Sequence, residues 1–149
     1  MSRQFFEDME PGRPVASGPF HVDGSEMLEF NRKWDTLPIH IDDNAARLMG
    51  HKGIIASGQY TLCIKQYFVN RSDWHGSVIG TAGWDEVRFP TPVYAGDKIS
   101  ARIRCIEKRA SRSKPDRGIV KFEIILVNQD DDIVLSFIDT VMMEKRLKE

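Results

Sequence analysis

Two hydrophobic periods divide the chain. In the first half, apolar residues recur at helical spacing. The segment DGSEMLEFNRKW, from Asp23, has an Asp or Ser cap, an early Glu, and Met27, Phe30 and Trp34 three to four residues apart, which predicts a short helix. Asp42 to Met49 starts acidic, continues through Ala45, Ala46 and Leu48 and stops at Gly50, predicting a second. Ile54 to Val69 has few breakers and carries Ile55, Leu62, Ile64, Tyr67 and Phe68, so a central buried helix is expected to begin near Ser57. Between them, Asp35 to Ile41 contains Pro38 and is expected to be an irregular or extended loop, a place where side chains are presented to ligands.

The second half alternates instead. Val78 to Phe89, Lys98 to Glu107, Gly118 to Asn128 and Ile133 to Lys145 are β-branched segments separated by Pro-Val-Tyr-Ala-Gly-Asp, Lys-Pro-Asp-Arg-Gly and Gln-Asp-Asp-Asp turns. They predict consecutive antiparallel strands. Pro14 to Val22 adds an edge or near-edge strand, because Pro14 and Pro19 cannot donate to a ladder on both sides. A sheet of this kind needs its apolar face covered, and the helix after Ser57 is the long apolar one available. The predicted class is α+β, with a curved sheet wrapped around a central helix.

Length and charge narrow the function. The 149 residues, 41% hydrophobic and 29% charged, suit a single domain spanning 1–149. Lys and Arg total 21 against 22 Asp and Glu, a formal charge of -1 that gives no general attraction to nucleic acid or to an anionic membrane surface. No apolar run approaches the roughly 20 residues that span a bilayer. The acidic residues in MSRQFFEDMEPG do not suit a signal peptide, so a cytoplasmic location is expected. Cys63 and Cys105 lack metal-ligand spacing and are both expected to be buried and free. His51 and His75 have no partners at metal-binding spacing, and no metal site is expected. The basic run KRASRSKPDR, from Lys108 to Arg117, fits either a phosphate contact or a solvated hairpin end.

Two constellations can carry chemistry. In WDTLPIH, Asp35 and His40 flank Pro38; an imidazole near neutral pKa with a carboxylate beside it can handle the protons of a water molecule. The same spacing fits an Asp that caps a turn and a His bonded to backbone. In GIIASGQYT, Ser57 and Gly58 stand at the start of the apolar helix, where backbone N–H groups without intrahelical partners can polarise a carbonyl oxygen and a glycine allows close approach. A plain Ser57 N-cap with Gly58 as a packing residue fits equally. Ser57 is not placed as a nucleophile, since GIIASGQ lacks the glycine two positions before the serine.

Taken together, FEDMEPG, DTLPIHIDDNAARLMG, GIIASG and GWDEVRFPTPVYAGD resemble the MaoC-like dehydratases of the hot-dog superfamily, which include the (R)-specific enoyl-CoA hydratases. The most specific pieces are D-x-x-P-x-H, at Asp35, Pro38 and His40, and R-F-P-x-P-V-x-x-G-D from Arg88 to Asp97. The resemblance implies a hot-dog fold, a homodimer or dimer of dimers with sheets joined edge to edge, and a pantetheine tunnel near the subunit interface. It implies reversible hydration of a 2-enoyl-CoA to a 3-hydroxyacyl-CoA, with coenzyme A present only as part of the substrate and no other cofactor. Asp35 and His40 match the pair that activates water, and Gly58 matches the glycine whose N–H polarises the thioester carbonyl. Leu37 replaces the family's usual Asn, and Ala56-Ser57-Gly58-Gln59 replaces A-H-G-M. Leu37, Pro38, Ser57 and Gln59 are therefore expected to line the substrate site. A hot-dog thioesterase and a non-catalytic acyl-thioester binding module are the alternatives.

Overall fold

A computed structural model describes residues 2–148. Strand β1, Val15–His21, comes first and is followed by three short helices, α1 (Gly24–Trp34), α2 (Pro38–Ile41) and α3 (Asp43–Leu48). The longest helix, α4 (Gly58–Val69), precedes four strands, β2 (Val78–Arg88), β3 (Lys98–Ala110), β4 (Arg117–Val127) and β5 (Ile133–Glu144). The five strands form one antiparallel sheet in the order β1-β3-β4-β5-β2. The edge position expected of β1 is observed, and its ladder with β3 shifts register between Ser17 and Phe20, across Pro19.

Three of the four helices start where a side chain takes up unpaired N–H groups. The Asp23 carboxylate accepts from the N–H groups of Ser25 (2.8 Å) and Glu26 (3.2 Å), Asp42 accepts from Ala45 (3.0 Å), and the Ser57 hydroxyl accepts from Gln59 (3.1 Å). The segment expected to be a loop throughout contains one helical turn, α2. Pro38 sits in its first turn, where the missing N–H has no intrahelical acceptor to lose and the fixed φ already suits a helix.

The core lies between α4 and one face of the sheet. Tyr60, Ile64, Phe68 and Val69 of α4 meet alternate residues of the strands, among them Ile99, Ala101, Val120, Phe122, Ile124, Leu135 and Phe137. This is the wrapped helix predicted from patterning, and Ile64→Ala should cost about 2–5 kcal/mol through the cavity it leaves. Helix α1 is tied to α4 by an edge-on contact of Phe30 with Tyr60 and by the Tyr60 hydroxyl, which donates to Glu26 (2.8 Å).

Several expectations need correction. Trp34 is 66% exposed, since α1 turns its buried stripe through Met27 and Asn31 instead. Cys105 is buried, but Cys63 is exposed on the outer side of α4. The face of α4 that points to the sheet includes Lys65, which is 3% exposed although charged. Strand β3 runs to Ala110, so the basic run forms the β3–β4 hairpin. There Lys108 is held by the carbonyls of Phe6 and Glu7, both at 3.3 Å, and Arg117 pairs with Asp116.

The N-terminal segment closes one end of the sheet. A 3-10 turn at Phe6–Asp8 lays the Phe6 ring across Gly118, where a Cβ would come within 2.2 Å of it. Among the described residues, no helix is long and apolar enough to cross a membrane.

Candidate functional site

The loop after α1 and the start of α4 converge on one point. Asp35 caps the C-terminus of α1, its backbone N–H donating to the carbonyl of Asn31 (2.8 Å). One helical turn later, α2 brings His40 back beside it, with Nε2 3.4 Å from Asp35 Oδ2. Both readings of this motif hold at once: Asp35 ends a helix and His40 is bonded to backbone, and the two still face each other.

His40 is 6% exposed, and its ring orientation is set from the far side. Nδ1 lies 2.8 Å from the carbonyl oxygen of Ile55, which can only accept, so Nδ1 carries a proton and donates. In the neutral ring Nε2 is therefore a bare lone pair directed at a carboxylate oxygen. A water molecule bound beside the pair can donate one O–H to each of these two acceptors.

Ser57 connects this pair to α4. Its hydroxyl donates to Asp35 Oδ2 (2.7 Å) while accepting from the N–H of Gln59. The Ser57 N–H donates to Asn31 Oδ1 (3.2 Å). The N–H groups on either side of Gly58 are thus occupied, whereas Gly58, the first residue of α4, has an N–H with no intrahelical acceptor. That N–H carries the positive end of the helix dipole beside the Asp35–His40 pair. The Phe89 ring lies over Gly58, with ring atoms 3.0–3.3 Å from where a Cβ would stand. Any larger residue at this position displaces the ring.

Asp35, His40, Ser57 and Gly58 are therefore brought together. Leu37, Pro38 and Gln59 are exposed on the rim; Leu37 is 57% exposed and its side chain is available to a neighbour. Ser57 is fully buried, so its hydroxyl serves Asp35 and the helix cap in place of the substrate lining expected for it. Two clefts of the described residues lie away from this cluster. One of about 520 Å³ is bounded by Met27, Gly53, Tyr94 and the 128–132 turn, and another of about 450 Å³ by Met9, Phe68, Trp74 and Ile103.

Sequence reasoning missed two residues here. Asn31 is completely buried at the centre of the cluster; its place on the stripe with Met27, four residues before Asp35, was the available signal. Phe89 was part of a motif but had no role until its ring was found on Gly58. Among the described residues, no three His, Cys, Asp or Glu side chains converge as a metal site. His51 and His75 stand apart from the cluster, and His75 Nδ1 lies 2.6 Å from the Ser72 carbonyl.

Comparison with known proteins places the whole chain. The MaoC like domain family matches residues 7–127. The uncharacterized protein YdeM of Bacillus subtilis is 24% identical over 121 residues, covering 80% of this chain and 84% of its own. Among solved structures, the MaoC-like dehydratase from Rhodospirillum rubrum is 28% identical with a TM-score of 0.89, over 97% of this chain and 99% of that one. The (R)-hydratase from A. caviae involved in PHA biosynthesis, at 18% identity and a TM-score of 0.71 over 93% and 99% of the two chains, shares the fold. The chain, matched over most of its length, belongs to the MaoC-like domain family and shares the hot-dog fold.

Proposed function

We propose that the protein catalyses reversible addition of water to a 2-enoyl-CoA, giving a 3-hydroxyacyl-CoA. The observation that carries the proposal is the 3.4 Å approach of His40 Nε2 to Asp35 Oδ2, beside the first N–H of α4. In the hydration direction, a water bound beside both groups delivers its oxygen to C3. One of its protons is taken up by the Asp35–His40 pair, and the pair returns a proton to C2. The electrons of the double bond pass transiently to the thioester oxygen, where the Gly58 N–H stabilises the developing enolate. Dehydration reverses each step.

Substrate enclosure needs a second body, because Leu37, Pro38 and Gln59 lie on an open surface. We place a second copy of the chain there. Strand β2 is a free sheet edge with exposed Ile79 and Trp84, and Phe89 follows it directly. A long apolar edge of this kind is normally paired or covered. The two free cysteines suit a reducing compartment, in keeping with a cytoplasmic enzyme.

The test follows the conjugated enoyl absorbance of crotonyl-CoA and longer or polar enoyl-CoAs. Loss of that absorbance with gain of one water by mass spectrometry is expected. Asp35→Asn and His40→Ala should each lower turnover by about 10²–10⁴ while keeping a cooperative melt. Free thiol release at constant enoyl absorbance would identify a thioesterase instead, and unchanged turnover in both variants would remove the pair from the mechanism.

A further inference from the structure

The buried amide of Asn31 touches both arms of the site without reaching the reacting atoms. Its exposure is 0%, so every polar atom it carries must find a partner inside the protein. Nδ2 donates to the carbonyl of His40 (2.9 Å) and to the carbonyl of Ile55 (3.2 Å). Oδ1 accepts from the N–H of Ser57 (3.2 Å). Two carbonyls against one end and an N–H against the other leave a single orientation for the amide.

Each of these partners has a second role. The Ile55 carbonyl is the same one that receives the proton on His40 Nδ1 and so determines which ring nitrogen is bare. Ser57 is the residue whose hydroxyl holds Asp35 Oδ2 at 2.7 Å. The backbone carbonyl of His40 fixes the root of the imidazole itself. One side chain on α1 thereby holds the carbonyl that orients the imidazole, the root of that imidazole, and the serine that holds Asp35 and precedes Gly58.

We propose that Asn31 is the positioning residue of this site, holding His40 in the Nδ1–H tautomer and keeping Asp35 aligned with it through Ser57. The proposal rests on Asp35 and His40 being the reacting pair, but its first consequence concerns the free protein. Leucine at this position keeps the volume and leaves three backbone groups without their partner. Aspartate keeps the shape but sets carboxylate oxygen against the carbonyls of His40 and Ile55. In either case the Ile55 carbonyl is freed to move, and the imidazole loses its preference between tautomers.

The measurement is 15N NMR of histidine-labelled protein without substrate, read beside the pH profile of kcat/KM. In the wild type, the neutral His40 ring is expected as the Nδ1–H tautomer. In Asn31→Leu and Asn31→Asp, the Nε2–H form should appear, and the limb of the profile assigned to the site should shift. The value of kcat should fall by about tenfold to a hundredfold, the size usual for groups that orient a histidine from behind, with KM little changed. A folded variant that keeps the wild-type tautomer and pH profile overturns the proposal. So does a wild-type His40 found in the Nε2–H form, which decides the matter even where a variant fails to fold. If the wild type hydrates no enoyl-CoA, the activity proposed above fails, and the tautomer measurement still tests Asn31 separately.

Discussion

At the N-terminus of α4, the buried polar side chains are oriented by directional hydrogen bonds: Asn31 has three backbone groups, His40 a carbonyl at Nδ1 that turns Nε2 toward Asp35, and Ser57 one donor and one acceptor. Seven residues along the same helix, roughly 10 Å by the α-helical rise, Lys65 is buried on different terms. Its ammonium has the side-chain oxygen of Gln66 at 3.2 Å, and the faces of Trp84 and Phe137 with ring centres at 4.5 and 5.5 Å. Asp139 on β5 is the carboxylate that acts on it, and it accepts from the Thr81 hydroxyl. Burial pushes the Lys65 ammonium below its ordinary value and the Asp139 carboxyl above its own, each toward its neutral form. The first cluster fixes directions; the second mainly carries the cost of taking charge out of water. Polar burial alone therefore does not set the two clusters apart, whereas the way their groups are oriented does.

That contrast can be broken most sharply by turnover. Asp35→Asn should lose about 10²–10⁴ in rate, while the double variant Lys65→Met, Asp139→Asn should keep its rate. Equal losses in both would erase the distinction between the two clusters. The next effect is on stability. Replacing both charges of the second cluster by neutral groups of similar size should leave the melting free energy unchanged or raise it by up to about 4 kcal/mol at neutral pH.

Its pH dependence has a definite sign. Above 3.8, the unfolded chain gives up the Asp139 proton before the folded chain does, so the wild type loses stability as pH rises through that interval. Below 10.5, the unfolded chain holds the Lys65 proton that the folded chain releases more readily, so the wild type regains stability as pH rises toward 10.5. The advantage of the double variant should be widest at neutral pH and shrink toward both ends. Thermal melts across that range would show it, and a difference that does not vary with pH would contradict the shifts.

The smallest effect is expected from Ser57→Ala. The helix loses its N-cap, at a cost of about 0.5–2 kcal/mol in chemical denaturation, and Asp35 loses the hydroxyl that holds it. A wild-type denaturation midpoint would argue that water replaces the serine at both ends.

Much of this was legible in the chain because the physics is local. Alternation marks β3, β4 and β5, where every second residue meets the core, and a run with few breakers ending before Asn70 marks α4. Asp35, His40 and Gly58 were found through their types and spacing, and the fold brings them together as expected. What stayed hidden depended on tertiary partners. Nothing in FNRKW says that the amide of Asn31 will meet three backbone groups from elsewhere in the chain, and nothing in CIKQ says that Lys65 turns inward while Cys63 turns out. Pro38 misled for a different reason: a proline ends helices from inside but suits their first turn, and spacing does not distinguish the two.

The seating of Phe6 on Gly118 leaves a door hinge at the far end of the sheet from the chemistry. A single added methyl, as in Gly118→Ala, has no room beneath that ring, so the first dozen residues should swing away as a unit. Limited digestion should then trim the N-terminus early in the altered chain and late in the native one. The remaining body would keep Asp35 and His40 face to face, since neither leans on that segment.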